Sequence, residues 1–389
     1  MTPTPDVPAP DVIVIGGGLH GCSAALHLVR RGVKVLVIEK DHVGRHASGV
    51  NAGGVRRLGR DFAEVPLSVA SMELWHRIRD LVDDDCGFEA SAQVKIAETA
   101  ADMQVLSARA AQLRDLGFAH EEVIDARELR DLLPAVAEHC VGGIVSRADG
   151  AANPYRTTLA FKRKAESLGV QFAEGCRVRG LRRQGRDWEI TTDKGSHTAT
   201  RVVNCAGAWA GEIAALLGEP VPLEAIAPMM MITAPMPPFV RPVVGATSRP
   251  LSFKQLANGT VMIGGGRLGR ASPDRNLTEL DFRELGLGAR TVLDLFAIMR
   301  GAEVVRAWAG IEAQMPDKIP VIGPSGTEDG IFHAFGFSAH GFQLGPIVGS
   351  VIAEIMTTGS TNMPIAPFSI RRFAAKRQSG HEGHTDPLR

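Results

Sequence analysis

Apolar positions are patterned most clearly in the first forty residues. Val12 to Ile15 is a short β-branched apolar run that stops at three glycines, and Leu19, Cys22, Ala25, Leu26 and Val29 then recur at helical spacing until Gly32. A second apolar run, Val33 to Ile38, follows at once. The pattern predicts strand, helix, strand, and such short connections imply parallel strands covered by helices.

Further along, a strand is expected at Gln93 to Ile96, a polar helix around Met103 to Leu116 and another at Ala126 to Leu132. Thr157 to Leu168 reads as a helix ending at Gly169, followed by strands around Val170 to Phe172, Trp188 to Thr191 and Arg201 to Val203. The last of these runs into Asn204-Cys205-Ala206-Gly207-Ala208-Trp209, an exit rich in small residues where a backbone can approach something closely. Residues 220 to 250 hold many prolines, which excludes a long helix and predicts edge strands and loops of a second, mostly antiparallel domain. Ile331 to Phe335, a glycine-punctuated turn and Ile347 to Met356 read as strand, loop, helix again. The fold class expected is α/β, α+β overall, with a Rossmann-like domain beside a second sheet.

Composition narrows the function classes. At 389 residues, 44% hydrophobic and 22% charged, with 43 basic and 43 acidic side chains, the chain is globular, and nothing in its charge calls for nucleic acid as a partner. Its five cysteines lie 29 or more residues apart and form no C-x-x-C, so no metal site or redox pair is spelled locally; reduced, mostly buried thiols are expected. The start, MTPTPDVPAPD, lacks the basic and apolar regions of a leader, and no stretch reaches the roughly 18 apolar residues of a membrane helix. A soluble, cytoplasmic protein with a frayed proline-rich start is expected.

Gly16-Gly17-Gly18-Leu19-His20-Gly21 matches G-x-G-x-x-G after a strand and before a helix, and Glu39 ends the second strand 23 residues after Gly16. Gly16 permits the tight turn, Gly18 lets a pyrophosphate approach and Gly21 allows close packing, while the helix N-terminus offers N–H groups to the anion. Glu39 is suited to accept hydrogen bonds from an adenosine ribose and to repel a 2′-phosphate. A second match, Gly264 to Gly269, is followed by Pro273 and no acidic-ended strand, and reads as a turn.

NAD and FAD share this fingerprint. After Glu39 the chain runs GRHASGVNAGGVRR (44 to 57), small and polar. At the far end come Arg306-Ala307-Trp308-Ala309-Gly310-Ile311-Glu312, Pro316 to Gly323 and Gly336-Phe337-Ser338-Ala339-His340-Gly341-Phe342-Gln343-Leu344-Gly345-Pro346. With the Val178 strand and Asn204 to Trp209, these segments resemble the D-amino-acid oxidase superfamily of FAD enzymes, closest to its branch of sarcosine oxidases, glycine oxidases and opine oxidase β-subunits.

The resemblance implies an FAD-binding domain assembled from residues 11–87, 151–220 and 309–375, a substrate domain from 88–150 and 221–308, and flexible tails at 1–10 and 376–389. It implies cofactor contacts from Gly16, Gly18, Leu19, His20, Gly21, Glu39 and Lys40, and from Ser48, Asn51, Ala52, Gly53 and Gly54. Further along these continue with Val178, Ala206, Gly207, Trp209 and Gly310, and close with Gly336, Ala339, His340, Gly341, Phe342 and Gln343. The chemistry implied is dehydrogenation of an amine carbon, with hydride passing to flavin N5 and the imine then hydrolysing. Main-chain N–H groups of 336–344 would face the reduced flavin's negative charge.

Departures refine the reading. Members with covalent flavin carry a cysteine where Gly310 falls, or a histidine where Asn51 falls, so FAD is expected to be non-covalent. Glycine oxidase-like members place a substrate-binding arginine where Glu312 stands, and a carboxylate there favours a cationic or amine group. A lysine of monomeric sarcosine oxidases becomes Gln343, and their oxygen-activating lysine falls near Met262, which tilts the reading toward a dehydrogenase. Substrate carboxylate binding is then sought from Arg56, Arg57, Arg60 or Arg249, with Arg56 or Arg57 beside the flavin. His340 is a base, a flavin-polarising group or a packed loop residue, His46 is more readily structural, and Met229 to Met231 more readily core than pocket.

The expected function is oxidation of the C–N bond of an N-substituted or cyclic amino acid, opine-, proline- or sarcosine-like, with Glu312, His340 and Arg56 in the active site; Glu312 favours a substrate with an extra basic group. The rivals are a D-amino-acid dehydrogenase for a primary amine and a flavin subunit of a hetero-oligomeric amine dehydrogenase. The expected partners are a small-molecule substrate and an electron-acceptor protein or partner subunits.

Overall fold

The computed structural model describes residues 9–374, so nearly all of the two expected flexible tails lies outside the described residues. The N-terminal unit forms as patterned: Val12–Ile15, the helix Leu19–Val29 and Val35–Ile38. Its strands enter a six-stranded sheet in the order Val321–Pro324, Ile331–Phe335, Arg201–Asn204, Val12–Ile15, Val35–Ile38, Gln171–Ala173, parallel except at the first edge. Strand alternation sends side chains to both faces. Val12 and Val14 pack under the helices Leu19–Val29, Pro154–Ser167 and Gly341–Thr358, whereas Ile13 and Ile15 pack with Trp188 and Ile190 of a three-stranded meander (178–199). All five cysteines are buried and free.

A second, larger sheet is antiparallel apart from one pair, Val243–Ala246 with Gln93–Ala97. Its hub is Glu224–Thr233, which lies in the middle of the sheet although its proline-rich surroundings pointed to an edge. Pro228 is tolerated because neighbours change there. On one side Glu312–Gln314 pairs with residues 224–226 and Val304–Ala309 with 229–233; on the other, Leu268–Ser272 pairs at Ala227 and Pro228 before Val261–Gly264 takes over. The second glycine run joins two of these strands as a turn, with Gly265 and Gly266 at φ of 120° and 87°.

Helices Phe282–Leu295 and Ala126–Leu132 cover the outer face of this sheet over Val94, Ile96, Phe253 and Ile263. The alternate residues Gln93, Lys95, Ser252 and Met262 fall on the opposite face, toward the first domain. No helix among the described residues is long and apolar enough to cross a membrane.

Candidate active site

A cavity of about 780 Å3 runs between the two sheets, from the glycine turn at Gly16 to the sheet face at Lys95 and Gly245. At its nucleotide end Gly16 turns at φ 107°, with a Cβ position 2.4 Å from the Cys205 carbonyl oxygen, and a Cβ on Gly21 would fall 1.9 Å from the Gly16 oxygen. Only glycine fits at either position. Glu39 is buried and held by two backbone donors, Gly17 N at 2.6 Å and Asp41 N at 2.8 Å. Burial pushes its carboxyl up, with the two N–H groups opposing. Leu19 N, at the start of its helix, donates to Ser48 Oγ at 2.9 Å. Lys40 bridges Asp41 and Asn276 and sits 3.7 Å over the Trp209 ring.

His46 is bonded to Asp41, 2.8 Å, and burial lowers it to about 4. His20 stacks on Phe337 at 3.7 Å and is pushed by burial to about 3, so both imidazoles are neutral.

The thread after this end is shaped by Asn51. Its amide donates to Ala47 O at 2.8 Å and accepts from Gly53 N at 2.8 Å, fixing the open turn through Ala52, Gly53 and Gly54. Opposite lies Gly310, where a Cβ would come within 2.4 Å of Val50 Cγ2, and Trp308 Nε1 donates to Val50 O at 2.9 Å. A side chain at 310 would have to displace Val50.

Glu312 also lines the cavity, half-buried, and its Oε1 accepts from Ala339 N at 2.5 Å. Desolvation raises its carboxyl to about 7, opposed by that single bond. Ser338 and Ala339 adopt φ of 50° and 69°, left-handed values that store strain at the turn into the helix Gly341–Thr358.

Two expected residues stand behind this wall. His340 turns its Nδ1 to Glu64 Oε2 at 3.0 Å, and burial lowers its pKa while Glu64 opposes. Gln343 is fully buried, donating to Ser68 O at 2.8 Å and accepting from Ser68 Oγ at 3.1 Å. The helix begins at Gly341, ahead of the start expected at Ile347, which makes residue 343 helical and turns it onto the Val65–His76 helix.

The arginine candidates separate as well. Arg57 is tied to buried Asp149 at 2.9 Å, Arg60 is buried beneath the thread, and Arg249 is bridged to Glu98 and Asp294. Arg56 lines the cavity without an ion-pair partner among the described residues. Met229 and Met230 touch the cavity while remaining buried in the sheet.

Two cations were not singled out by sequence. Lys254 stands across the strand pair from Met262, and its Nζ lies 3.3 Å from the Cβ position of Gly53. It has no hydrogen-bond or ion-pair partner among the described residues, and burial lowers it to about 8. Lys95 lines the cavity near Arg56, and its pKa falls through burial and then that neighbouring charge. Their signal is positional, since both alternate with core residues (Val94, Ile96 and Phe253) along their strands.

The residues present fit FAD: a glycine turn shut to any side chain, an oriented carboxylate where a ribose belongs, and an orphaned buried donor, Trp209 Nε1, in the lining. Comparison with known proteins agrees. The family model described as DAO, FAD dependent oxidoreductase, matches residues 11–355. Hydrogen cyanide synthase subunit HcnC of Pseudomonas aeruginosa is 25% identical over 411 residues, covering 93% of this chain and 96% of its own. Glycine oxidase of Geobacillus kaustophilus is 26% identical over 393 residues, with 94% and 98% covered. Among solved structures, L-proline dehydrogenase from P. horikoshii superposes with a TM-score of 0.87 at 26% identity, over 95% of this chain and 98% of that one.

Proposed function

Because the chain belongs to the FAD-dependent oxidoreductase family, we propose that it oxidises the C–N bond of an N-substituted or cyclic amino acid, with Glu312 receiving the substrate amine. The observation that carries this reading is the half-buried Glu312 carboxyl, raised to about 7, in a cavity wall where glycine oxidase-like members have an arginine. Bound FAD supplies the two-electron acceptor.

The chain's own residues do the rest. Glu312 takes an ammonium proton near neutral pH, leaving the nitrogen lone pair free; the amine then loses a hydride from its α-carbon and a proton from nitrogen to water, and water splits the resulting imine into a carbonyl compound and a smaller amine, or, for a cyclic substrate, opens the ring to one amino-carbonyl compound. Ala339 N holds the carboxylate in place. The Gly16 turn and Glu39 hold the nucleotide, and the Asn51–Gly54 thread shapes the wall. With glycine at 310 and asparagine at 51, neither position offers a nucleophile, and the flavin is held non-covalently.

With the Lys254 amine across from Met262, the missing lysine at 262 no longer argues against oxygen as acceptor, and the rate of reoxidation in air decides. Mass spectrometry of a reaction with N-alkyl amino acids tests the reading. The expected products are the matching carbonyl compound and dealkylated amine; turnover of primary D-amino acids alone would replace it. A second reading, a catalytic subunit within a larger complex, is supported by relatives named as subunits, HcnC and the sarcosine oxidase β-subunit of Rhizobium meliloti. Co-purification of stoichiometric partner chains would establish it.

A further inference from the structure

The side chain of Glu312 is held by a turn that does not hold itself. Its one hydrogen bond among the described residues comes from Ala339 N, in a turn where Ser338 and Ala339 are both left-handed. Residues other than glycine keep such values only where the surroundings fix them. One flank is tied to the Glu312 side: Ser338 N donates to Ala313 O at 3.1 Å, and Ser338 Oγ accepts from Met315 N at 3.0 Å. The other flank is His340, tied beyond the turn and its own helix by its side chain alone, Nδ1 to Glu64 Oε2 at 3.0 Å. The helix Gly341–Thr358 is anchored separately, since Gln343 O accepts from Ser71 Oγ at 2.6 Å and from Trp75 Nε1 at 2.8 Å. Losing the His340 bond therefore frees the turn without freeing the helix.

Glu64 is fully buried at the start of the Val65–His76 helix, and His340 supplies its side chain's only hydrogen bond among the described residues; its Oε1 has no partner. Arg60 and Arg56 face both members of the pair. Burial pushes the Glu64 carboxyl up, but the His340 bond and the two arginine charges outweigh it, so the group is ionised at neutral pH. Burial pushes His340 down, with the arginines acting the same way, so the imidazole is neutral. An ionised carboxylate only accepts, so the ring carries its proton on Nδ1, in a charge-assisted bond that fixes tautomer and orientation. A buried carboxylate with one bond is costly, more so than the amide that would serve a merely structural contact. No charged side chain is paired with Glu312 among the described residues.

Resting on the amine-oxidation reading above, we propose that Glu64 and His340 are positioning residues for Glu312: the buried pair holds the turn at 338–339 so that Ala339 N meets the Glu312 carboxylate. His340 stands between Ala339 and Gly341, which line the cavity, and is not itself in the lining, so it acts through the main chain.

The Ala339 N–H stabilises the charged form of Glu312. Withdrawing it moves the carboxyl up by about 1 unit, the value of one hydrogen bond to a charged group. The acid limb of kcat/KM is therefore measured on the FAD-loaded wild type and three variants. His340→Leu and Glu64→Leu break the bond from either side, and in His340→Asn the amide nitrogen takes the place of Nδ1. Both leucine variants are expected to move the limb up from near pH 7 by about 1 unit, and His340→Asn to keep it near its wild-type position. Removing the Glu64 charge would by itself move the limb down, so the direction separates positioning from a change of charge. A wild-type limb in either leucine variant, or an equal shift in His340→Asn, would overturn the proposal and leave the amine reading intact.

Urea unfolding of the FAD-free proteins gives a readout without turnover. The pH above which Glu312→Gln differs from its parent by a constant amount should be about 1 unit higher in the His340→Leu background than in the wild type. The same pH in both backgrounds would overturn the positioning role. A raised pH in an enzyme that no amine reduces would support it and sink the amine chemistry alone.

Discussion

Replacing Glu312 by glutamine isolates the group on which the proposed chemistry turns. The amide keeps a carbonyl for Ala339 N, so the loop at 336–341 retains its anchor. What is lost is a carboxyl that burial raises from 4.5 to about 7. A folded-state value above the unfolded one means that the unfolded chain releases its proton first as pH rises. Stability therefore falls between about pH 4.5 and 7 and is flat above. A shift of this size is at most about 3 kcal/mol at about 1.4 kcal/mol per unit, and less where water reaches the cavity. Urea unfolding of the FAD-free protein from pH 5 to 8 is the assay. Glu312→Gln should match the wild type near pH 5 and exceed it by about 1 to 3 kcal/mol at pH 8. In kinetics on the loaded enzyme, the acid limb of kcat/KM near pH 7 should vanish in the variant. A wild-type and variant difference that is constant across pH would refute a raised Glu312, and with it the role of amine acceptor.

Lys254 has the opposite sign: its folded-state value is lowered to about 8, so its penalty is greatest below that pH and fades toward 10.5. Lys254→Met should stabilise the FAD-free protein at pH 7, and a drop in melting temperature there would show that the amine has a partner. Asp149→Asn removes a buried charge that accepts from Arg57 Nε and two backbone N–H groups and should cost about 3 to 5 kcal/mol by chemical denaturation; a loss under 1 kcal/mol would mean Arg57 is solvated instead. Acid precipitation of the yellow protein should leave all flavin in the supernatant, since Gly310 and Asn51 offer no nucleophile to link it; flavin retained in the pellet would contradict a non-covalent site.

What could be read from sequence was what the chain writes locally. The nucleotide end is contiguous: strand, glycine turn, helix, strand and Glu39 follow one another within forty residues, and each step has its own steric signature. The far wall is assembled from distant pieces. Gln93–Ala97 meets Val243–Ala246 in parallel, about 150 residues away in the chain, so Lys95 and Lys254 share a face that no window of sequence displays. Lys254 lies one strand over from Met262. His340 and Gln343 depended on where a helix begins, and a six-residue earlier start, with its N-terminus packed against the Val65–His76 helix, turned Gln343 inward. The prolines around 228 pointed to an edge because a strand whose neighbours change midway has no sequence mark.

The most direct test of the central claim is anaerobic mixing of the purified yellow protein with N-substituted and cyclic amino acids while following the oxidised flavin band near about 450 nm. The account predicts bleaching by secondary amines that carry a carboxylate, fastest above pH 7, with colour returning when an acceptor is admitted. A flavin that stays yellow with every amine, and bleaches with dithionite alone, would contradict it.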